Sequence, residues 1–364
     1  MDDHKTLLNL REFEAAAESR LPRMVFDYYA GGAGDEVTAR TAHDAWDAVS
    51  IRYRVLRDVS KRTLGVSILG DELGFPVLAA PMAFQRLAHP DGELATARAA
   101  AGAGAGMVLS TLATTSIEDV RAGASMPLWF QLYIYRDRGA SRALVERAAS
   151  AGCTALVLTV DSPLLGRRER DARNGFHVSS DFTVPNLTGD PRAALAAAAA
   201  HGGDGSALAK FVESHWDSSI SWRDVEWLRS VTQLPILIKG IVRGDDAALA
   251  MEHGASGVIV SNHGGRQLDT SLATARALPE VADAMAGRGT LLVDGGIRRG
   301  TDIIKALALG ANAVLLGRPV LWGLALGGEH GVRRVFDLLR DEYDLALALT
   351  GCRSSGELSR DFVA

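Results

Sequence analysis

The segment SNHGGRQLD (residues 261–269) follows the apolar run GVIV and sets His263 three residues ahead of Arg266, with glycines between them. A histidine changes protonation near neutral pH, and a guanidinium offers a planar fork of donors to an oxyanion. The segment therefore presents a base and a cation where a buried strand would ordinarily run out into turn residues. Two further segments, DGGIRRG (294–300) and LLGRP (315–319), also end apolar runs in glycine and arginine. Glycine lets a backbone approach an anion closely, and Arg298 or Arg318 adds charge. Asp294, Gly295, Gly296 and Gly317 thus belong either to an anion site or to plain turns. Lys239 ends the run PILIK and is better placed at a ligand than as a solvated strand end. Asp161 ends ALVLTVD and has two readings, a site acid or a helix N-cap, since Ser162 and Pro163 follow.

Groups so far apart in sequence need a frame that gathers them. Eight short apolar runs recur, at 76–83, 106–111, 128–133, 155–161, 235–241, 257–264, 290–296 and 313–319. Most lack alternation, as parallel strands covered on both faces do. Alanine-rich helical patterns such as DGELATARAAAGAGA and RALVERAASAG lie between most of them. Strand and helix repeated eight times predict an α/β fold, the (β/α)8 TIM barrel. An open doubly wound sheet fits less well, because AFQRLAHP after the first run holds no G-x-G-x-x-G. Residues 1 to about 70 are expected as a helical N-terminal flank. Residues 171–221, with the Gly-, Pro-, Asn- and Ser-rich NGFHVSSDFTVPNLTGDP, are expected as a long lid loop after the fourth strand, helix resuming at SWRDVEWLRSVT. Residues 1–364 then form one barrel domain.

Such a barrel builds its site at the C-terminal strand ends. Those ends supply Ala83 and Gln85, then Ser110 and Thr111, then Gln131, Tyr133 and Tyr135. Thr159, Asp161 and Lys239 follow, then Ser261, Asn262, His263 and Arg266, and finally Asp294, Gly317 and Arg318. Phosphate sites in these barrels commonly use the loops after strands seven and eight, which favours the anion reading of the two glycine turns.

Bulk properties narrow the class. The net charge of −5 argues against a nucleic-acid partner. Cys153 and Cys352 stand isolated, giving neither a metal spacing nor a disulfide framework, as in a reducing cytoplasm. The start MDDHKTLLNLREFEAAAESR is acidic and helical, unlike a signal peptide, and no run reaches the roughly 18 apolar residues of a membrane span. A soluble cytoplasmic protein without metal or membrane partner is expected.

With these residues assembled, the chain resembles the FMN-dependent α-hydroxy acid oxidase and dehydrogenase family, which includes glycolate-, lactate- and mandelate-oxidising enzymes. SNHGGRQLD matches the family's signature segment. DYYAGGAGDE, APMAFQRLAHPDGE, QLYIYRDR, LTVDSPLLGRRERD, ILIKGI, LLVDGGIRRGTDIIKALALGA and LLGRP look like family segments in family order, from about residue 7 to 355 apart from the lid. The resemblance implies FMN as cofactor, an (S)-2-hydroxy acid as substrate, and a homotetramer. It implies His263 as the base, with Asp161 pairing with it once it is protonated. It implies Arg266, Arg168 and the Tyr28 hydroxyl at the substrate carboxylate, and Tyr133 at the substrate hydroxyl. Lys239 would sit by flavin N1 and the C2 carbonyl. Ser110, Gln131 and Thr159 would contact the ring with the backbone of Pro81, Met82 and Ala83. Ser261 and Asp294 would serve the same cofactor, and Gly295, Gly296, Arg298, Gly317 and Arg318 its phosphate.

The reaction so implied removes one proton and two electrons from one H–C–O–H unit, so the protein must add a base and a carboxylate anchor to the flavin. Two departures from the family pattern bear on substrate. Met82 stands where many relatives have Thr, and Leu112 where glycolate-type enzymes have a large aromatic. Phe84, Leu112 and Tyr133 would then form an apolar slot for an aryl group, which points to mandelate or 4-hydroxymandelate. Membrane-bound mandelate dehydrogenases carry an apolar insertion in the lid, whereas residues 171–221 are polar and alanine-rich. That favours an oxidase passing electrons to O2, with H2O2 as product; Ala83 beside the flavin fits this. The alternatives are a dehydrogenase serving a quinone or protein acceptor, or a flavin-free barrel lyase or isomerase acting on a phosphorylated substrate.

Overall fold

The computed structural model describes residues 5–178, 183–187 and 207–364. A short antiparallel hairpin, β1 (Val66–Ile68) and β2 (Asp71–Leu73), precedes eight strands that each grow from one of the apolar runs. These are β3 (Val77–Ala79), β4 (Gly106–Leu109), β5 (Leu128–Leu132), β6 (Ala155–Thr159), β7 (Ile236–Ile241), β8 (Gly257–Val260), β9 (Thr290–Val293) and β10 (Ala313–Leu316). They close in the order β10-β3-β4-β5-β6-β7-β8-β9, every neighbouring pair parallel. The expected (β/α)8 barrel is therefore the fold. Seven of the eight runs stop being strand before the sequence signal fades, the remainder turning over the barrel mouth, while β7 continues to the end of its run at Ile241.

Alternation along the strands splits the buried residues into two groups. Leu78, Val108, Trp129, Val157, Leu237, Ile259, Leu292 and Leu315 fill the barrel interior in one cluster, plugged from below by Ile68 and Leu73 of the hairpin. Val77, Met107, Phe130, Leu156, Ile238, Val258, Val293 and Val314 face outward into the second cluster, shared with the surrounding helices. Both faces are buried, which explains why the sequence shows no polar alternation. The hairpin had no signal of its own. Asp71 fixes it, accepting from the Trp129 indole at 2.8 Å and the Thr154 hydroxyl at 2.7 Å.

Among the described residues the N-terminal flank holds the α-helices α1 (Leu10–Arg20), α2 (Arg23–Ala30) and α3 (Val37–Asp47). Asn9 caps α1 by accepting from the Arg11 and Glu12 amides. The expectation of a continuous loop over 171–221 is corrected in part. Ala207–His215 is a helix, and a short helix Glu169–Arg173 runs into the start of the segment. Leu208, Phe211 and Val212 bury one face of the former. Helix does resume at Trp222–Val231, with Ser221 and Asp224 forming a capping box. The rest of the lid, 179–182 and 188–206, lies outside the described residues.

Candidate active site

The interior alternation predicts what lines the mouth. Two residues beyond each interior apolar residue come Ala80, Ser110, Gln131, Thr159, Lys239, Ser261, Asp294 and Gly317, and the chain therefore changes from packing to polar groups in a single layer. All but Ser261 line one cavity; Ser261 stands just behind, accepting from Lys239 Nζ at 2.8 Å. Lys239 also pairs with Asp294 at 3.0 Å, both nearly buried. Three polar atoms in this layer are buried without a hydrogen-bond partner: Gln131 Nε2, Thr159 Oγ1 and Asp294 Oδ1. Buried polar groups are normally satisfied, so this floor fits a ligand with polar edges.

His263 stands above that layer. Its Nδ1 lies 2.8 Å from Asp161 Oδ1. A carboxylate only accepts, so Nδ1 carries the hydrogen and Nε2 keeps its lone pair. Burial lowers the His263 pKa below its ordinary value, with Lys239 and Arg168 adding to the shift and Asp161 opposing it. The imidazole is thus neutral at neutral pH. Burial opposes the charge on Asp161, yet His263, Lys239 and the Ser162 hydroxyl together hold its carboxyl below the usual range. Asp161 is not an N-cap: its Oδ1 accepts from His263 and Ser162, and its Oδ2 takes no backbone amide.

Two backbone features set this pair. His263, Gly264 and Gly265 have φ of 57°, 65° and 75°, a left-handed run that lifts the imidazole off the strand line. Gly240 has φ 113° at a register shift in β7, and a Cβ there would lie 2.6 Å from Asp161 Cβ. The missing side chain lets Asp161 sit against the strand that carries Lys239.

The arginines supply more charge than the described acids neutralise. Arg168 is buried and makes only long contacts, 3.4 Å to the Arg266 carbonyl and 3.4 Å to Gln267 Oε1. Burial and the neighbouring Arg266 push its pKa down to about 10. Arg266 spends Nη1 on the carbonyls of Tyr28, Tyr29 and Gly31, at 2.5, 3.3 and 3.0 Å, and lies 5.0 Å from the Tyr28 ring centroid. Arg318 holds the carbonyls of Tyr29, Gly264 and Gly31, and burial with Arg266 and Arg298 pushes it down to about 9. Burial also lowers Arg298, whose nearest acid, Glu14, is 3.8 Å away. Asp171 acts on Arg168 and Arg266 without a salt bridge to either, and Glu14 and Asp302 act on Arg298. A desolvated cation without a close counter-charge is costly, so the cavity fits an anionic ligand at each of two places: Arg168 with Arg266 and Tyr28, and Arg298 with Arg318.

The flank does more than cap. Trp46 of α3 donates to the Gly295 carbonyl at 2.8 Å, and His43 bonds the Gly296 carbonyl at 3.0 Å. Gly296 packs so closely that a Cβ would lie 2.3 Å from the Ala42 carbonyl oxygen. Gly265 is pressed on Ala39 in the same way. Helix α3 therefore clamps the Gly264–Gly265 and Gly295–Gly296 turns, and α2 delivers Tyr28, which stacks on Phe176 at 4.0 Å.

Tyr28, Pro81, Met82, Ala83, Tyr133, Gly295, Gly296 and Gly317 line the cavity with those above, whereas Gln85, Thr111, Tyr135 and Asn262, also expected at the strand ends, do not. Burial raises the Tyr133 hydroxyl well beyond the usual phenol range, with Asp161 adding to the shift. The expected apolar slot also loses a member. Phe84 does not line the cavity; it is fully buried, at φ 56°, with its ring 5.9 Å from Tyr28 and its carbonyl accepting from the Tyr29 hydroxyl at 2.7 Å. Its left-handed backbone turns the ring inward. In its place the cavity has Leu165, Leu208 and Trp216, none of which the strand-end rule reaches. Glu93 was also missed. Fully buried, it accepts from the Gln85 and Thr114 amides and the Thr114 and Thr115 hydroxyls, tying the loops after β3 and β4 together.

Among the described residues no helix is long and apolar enough to cross a membrane, and no group of three His, Cys, Asp or Glu could hold a metal. Both cysteines are free and buried.

Comparison with known proteins agrees with this geometry. An L-lactate oxidase of Nostoc sp. is 51% identical over 360 residues, covering 98% of each chain. The glycolate oxidase of Spinacia oleracea is 47% identical over 358 residues, covering 98% of this chain and 96% of its own. A crystal structure of mandelate oxidase with (S)-4-hydroxymandelic acid superposes with a TM-score of 0.92 at 43% identity, over 96% of this chain and 97% of that one. A family model described as FMN-dependent dehydrogenase matches residues 17–364. The chain belongs to that FMN-dependent family, in the group of glycolate, lactate and mandelate oxidases.

Proposed function

We propose that the protein oxidises an (S)-2-hydroxy acid to the 2-oxo acid with FMN and O2, giving H2O2, and that mandelate or 4-hydroxymandelate is the preferred class of substrate. The observation that carries the reaction is the neutral His263, oriented by Asp161, in one cavity with the buried Arg168 and the half-buried Arg266, neither in a salt bridge. FMN, when bound, accepts the two electrons. The protein's part is the proton and the carboxylate. Nε2 of His263 takes the proton, and Asp161, held ionised, stabilises the imidazolium that results. Arg168, the uncommitted part of the Arg266 guanidinium and the Tyr28 hydroxyl hold the carboxylate, and Tyr133 holds the substrate hydroxyl.

On this reading Lys239, oriented by Ser261 and Asp294, would supply positive charge to the FMN ring. Gln131 Nε2 and Thr159 Oγ1 are free to bond the ring, joined by Ser110 and the backbone of Pro81, Met82 and Ala83. Gly295, Gly296, Arg298, Gly317 and Arg318 hold the phosphate, at the start of the helix Arg318–Thr350. The phosphoryl and carboxylate groups would supply the negative charge that the two arginine pairs require. The test is acid precipitation of the purified yellow protein and mass spectrometry of what is released, with peroxide detection across glycolate, lactate, both mandelate enantiomers and 4-hydroxymandelate. FMN with peroxide from the (S)-acids is expected; a colourless protein that stays so with added FMN would overturn the reading. Flavin that loses its colour with substrate but regains it slowly in O2 would instead mark a dehydrogenase. A homotetramer in the cytoplasm belongs to the same proposal, and light scattering checks the assembly.

The aryl preference rests on Leu112, which lines the cavity and is 5% exposed. Filling that space in Leu112→Trp should penalise a phenyl-bearing acid far more than lactate. Overpacking costs about 1–3 kcal/mol, or roughly five- to 150-fold. The quantity to measure is the mandelate-to-lactate ratio of kcat/KM, and an unmoved ratio would remove Leu112 from the side-chain pocket.

A further inference from the structure

We infer that Trp216 is a specificity-determining residue, a rigid wall that limits the size of the substrate side chain. The inference rests on the proposed oxidation of 2-hydroxy acids and adds a residue to it from outside the barrel strands. Trp216 lines the cavity and is 4% exposed. Its ring stacks on Tyr133, with centroids 3.7 Å apart and planes inclined at 18°. Tyr133 feels the charges of Asp161 and Arg168, so the indole lies one ring away from the proton-accepting and carboxylate-binding groups.

The wall is held by more than the stack. Tyr135 and Trp216 form an antiparallel bridge, and the Asp217 amide donates to the Ile134 carbonyl at 3.0 Å. Arg136 Nε donates to the Trp216 carbonyl at 3.2 Å, and one Arg138 nitrogen holds both Asp217 and Asp224 at 2.6 Å. The stretch that follows β5 is therefore zipped to the stretch that precedes the helix Trp222–Val231. These bonds fix the backbone of Trp216 to the barrel, and its indole is held by the stack on Tyr133 and by burial. A side chain locked on its flanks cannot yield to a larger substrate, and close-packed walls discriminate by volume for that reason. A flat indole also favours a flat neighbour, since aromatic rings stack offset or meet edge to face.

A purely supporting role for Tyr133 is the rival explanation, and the two differ in what a smaller residue does. In Trp216→Leu, kcat/KM for 2-hydroxy acids bulkier than mandelate, such as 2-naphthylglycolate, should rise about ten-fold or more relative to lactate. FMN content and melting temperature serve as controls for folding. In Trp216→Phe, which keeps a ring on Tyr133, the naphthyl-to-lactate ratio should take an intermediate value. Loss of activity by the same factor for every acid in Trp216→Leu, restored equally for every acid in Trp216→Phe, would overturn the inference in favour of support for Tyr133. An unchanged ratio in both variants would also overturn it. If the unaltered enzyme oxidises no 2-hydroxy acid, the proposed activity fails first, and that result is distinct from either.

Discussion

His263→Ala is expected to leave the fold and FMN content intact while lowering kcat by about 10²- to 10⁴-fold, the range of a positioned general base. The upper end is expected here, because the same ring must accept the proton at Nε2 and carry the resulting charge against Asp161. The pH profile of the unaltered enzyme provides the companion test. His263 acts in its neutral form, so the rate falls only as pH drops through its folded pKa. Burial sets that value below the ordinary histidine value, and activity should therefore hold through neutrality and decline on the acid side. The acid limb should vanish from the residual activity of His263→Ala. A variant that reduces its flavin at a normal rate would place the base elsewhere.

Arg168→Met is expected to cost about 30- to 5,000-fold in kcat/KM, since breaking a buried, hydrogen-bonded charge pair typically costs about 2–5 kcal/mol. Arg168 is the cleaner arginine to test. Arg266 holds three backbone carbonyls of the 28–31 stretch, so its replacement would disturb Tyr28 and the turn beyond α2 as well as the substrate. The Arg168 side chain makes no hydrogen bond shorter than 3.4 Å among the described residues. Kinetics with 2-hydroxy acids and their amides separate the roles. The variant should lose its preference for the acid over the amide, and a preserved preference would assign the carboxylate to Arg266 alone.

Much of this site was legible because a barrel strand has period two. Once Val157 and Leu237 are taken as interior residues, Thr159 and Lys239 must face the same way one layer higher, and their sequence positions alone place them at the mouth. The same arithmetic holds for Ser110, Gln131 and Asp294. It ends where the strands end. Phe84 has the right position to reach the cavity, but its left-handed backbone, invisible in the sequence, sends the ring into the core. Trp216 and Leu208 come from an excursion outside the barrel repeat, and only tertiary pairing with the stretch after β5 brings them back. The helix Ala207–His215 did leave a trace, apolar residues at 208, 211 and 212, hidden beside a stretch rich in loop residues and alanine. Gly240 left none, because the reason for it is the Asp161 side chain just beyond the end of the neighbouring strand.

The most direct test of the central claim is anaerobic mixing of the purified enzyme with (S)-mandelate, followed by admission of O2. The yellow colour should fade in the absence of oxygen, and air should restore it with one H2O2 and one 2-oxo acid formed per turnover. In Arg168→Met the fading should slow in the proportion that steady-state kcat/KM falls. Colour that persists with (S)-mandelate, (S)-lactate and glycolate alike would contradict the assignment of His263 and the arginine pair to oxidation of a 2-hydroxy acid.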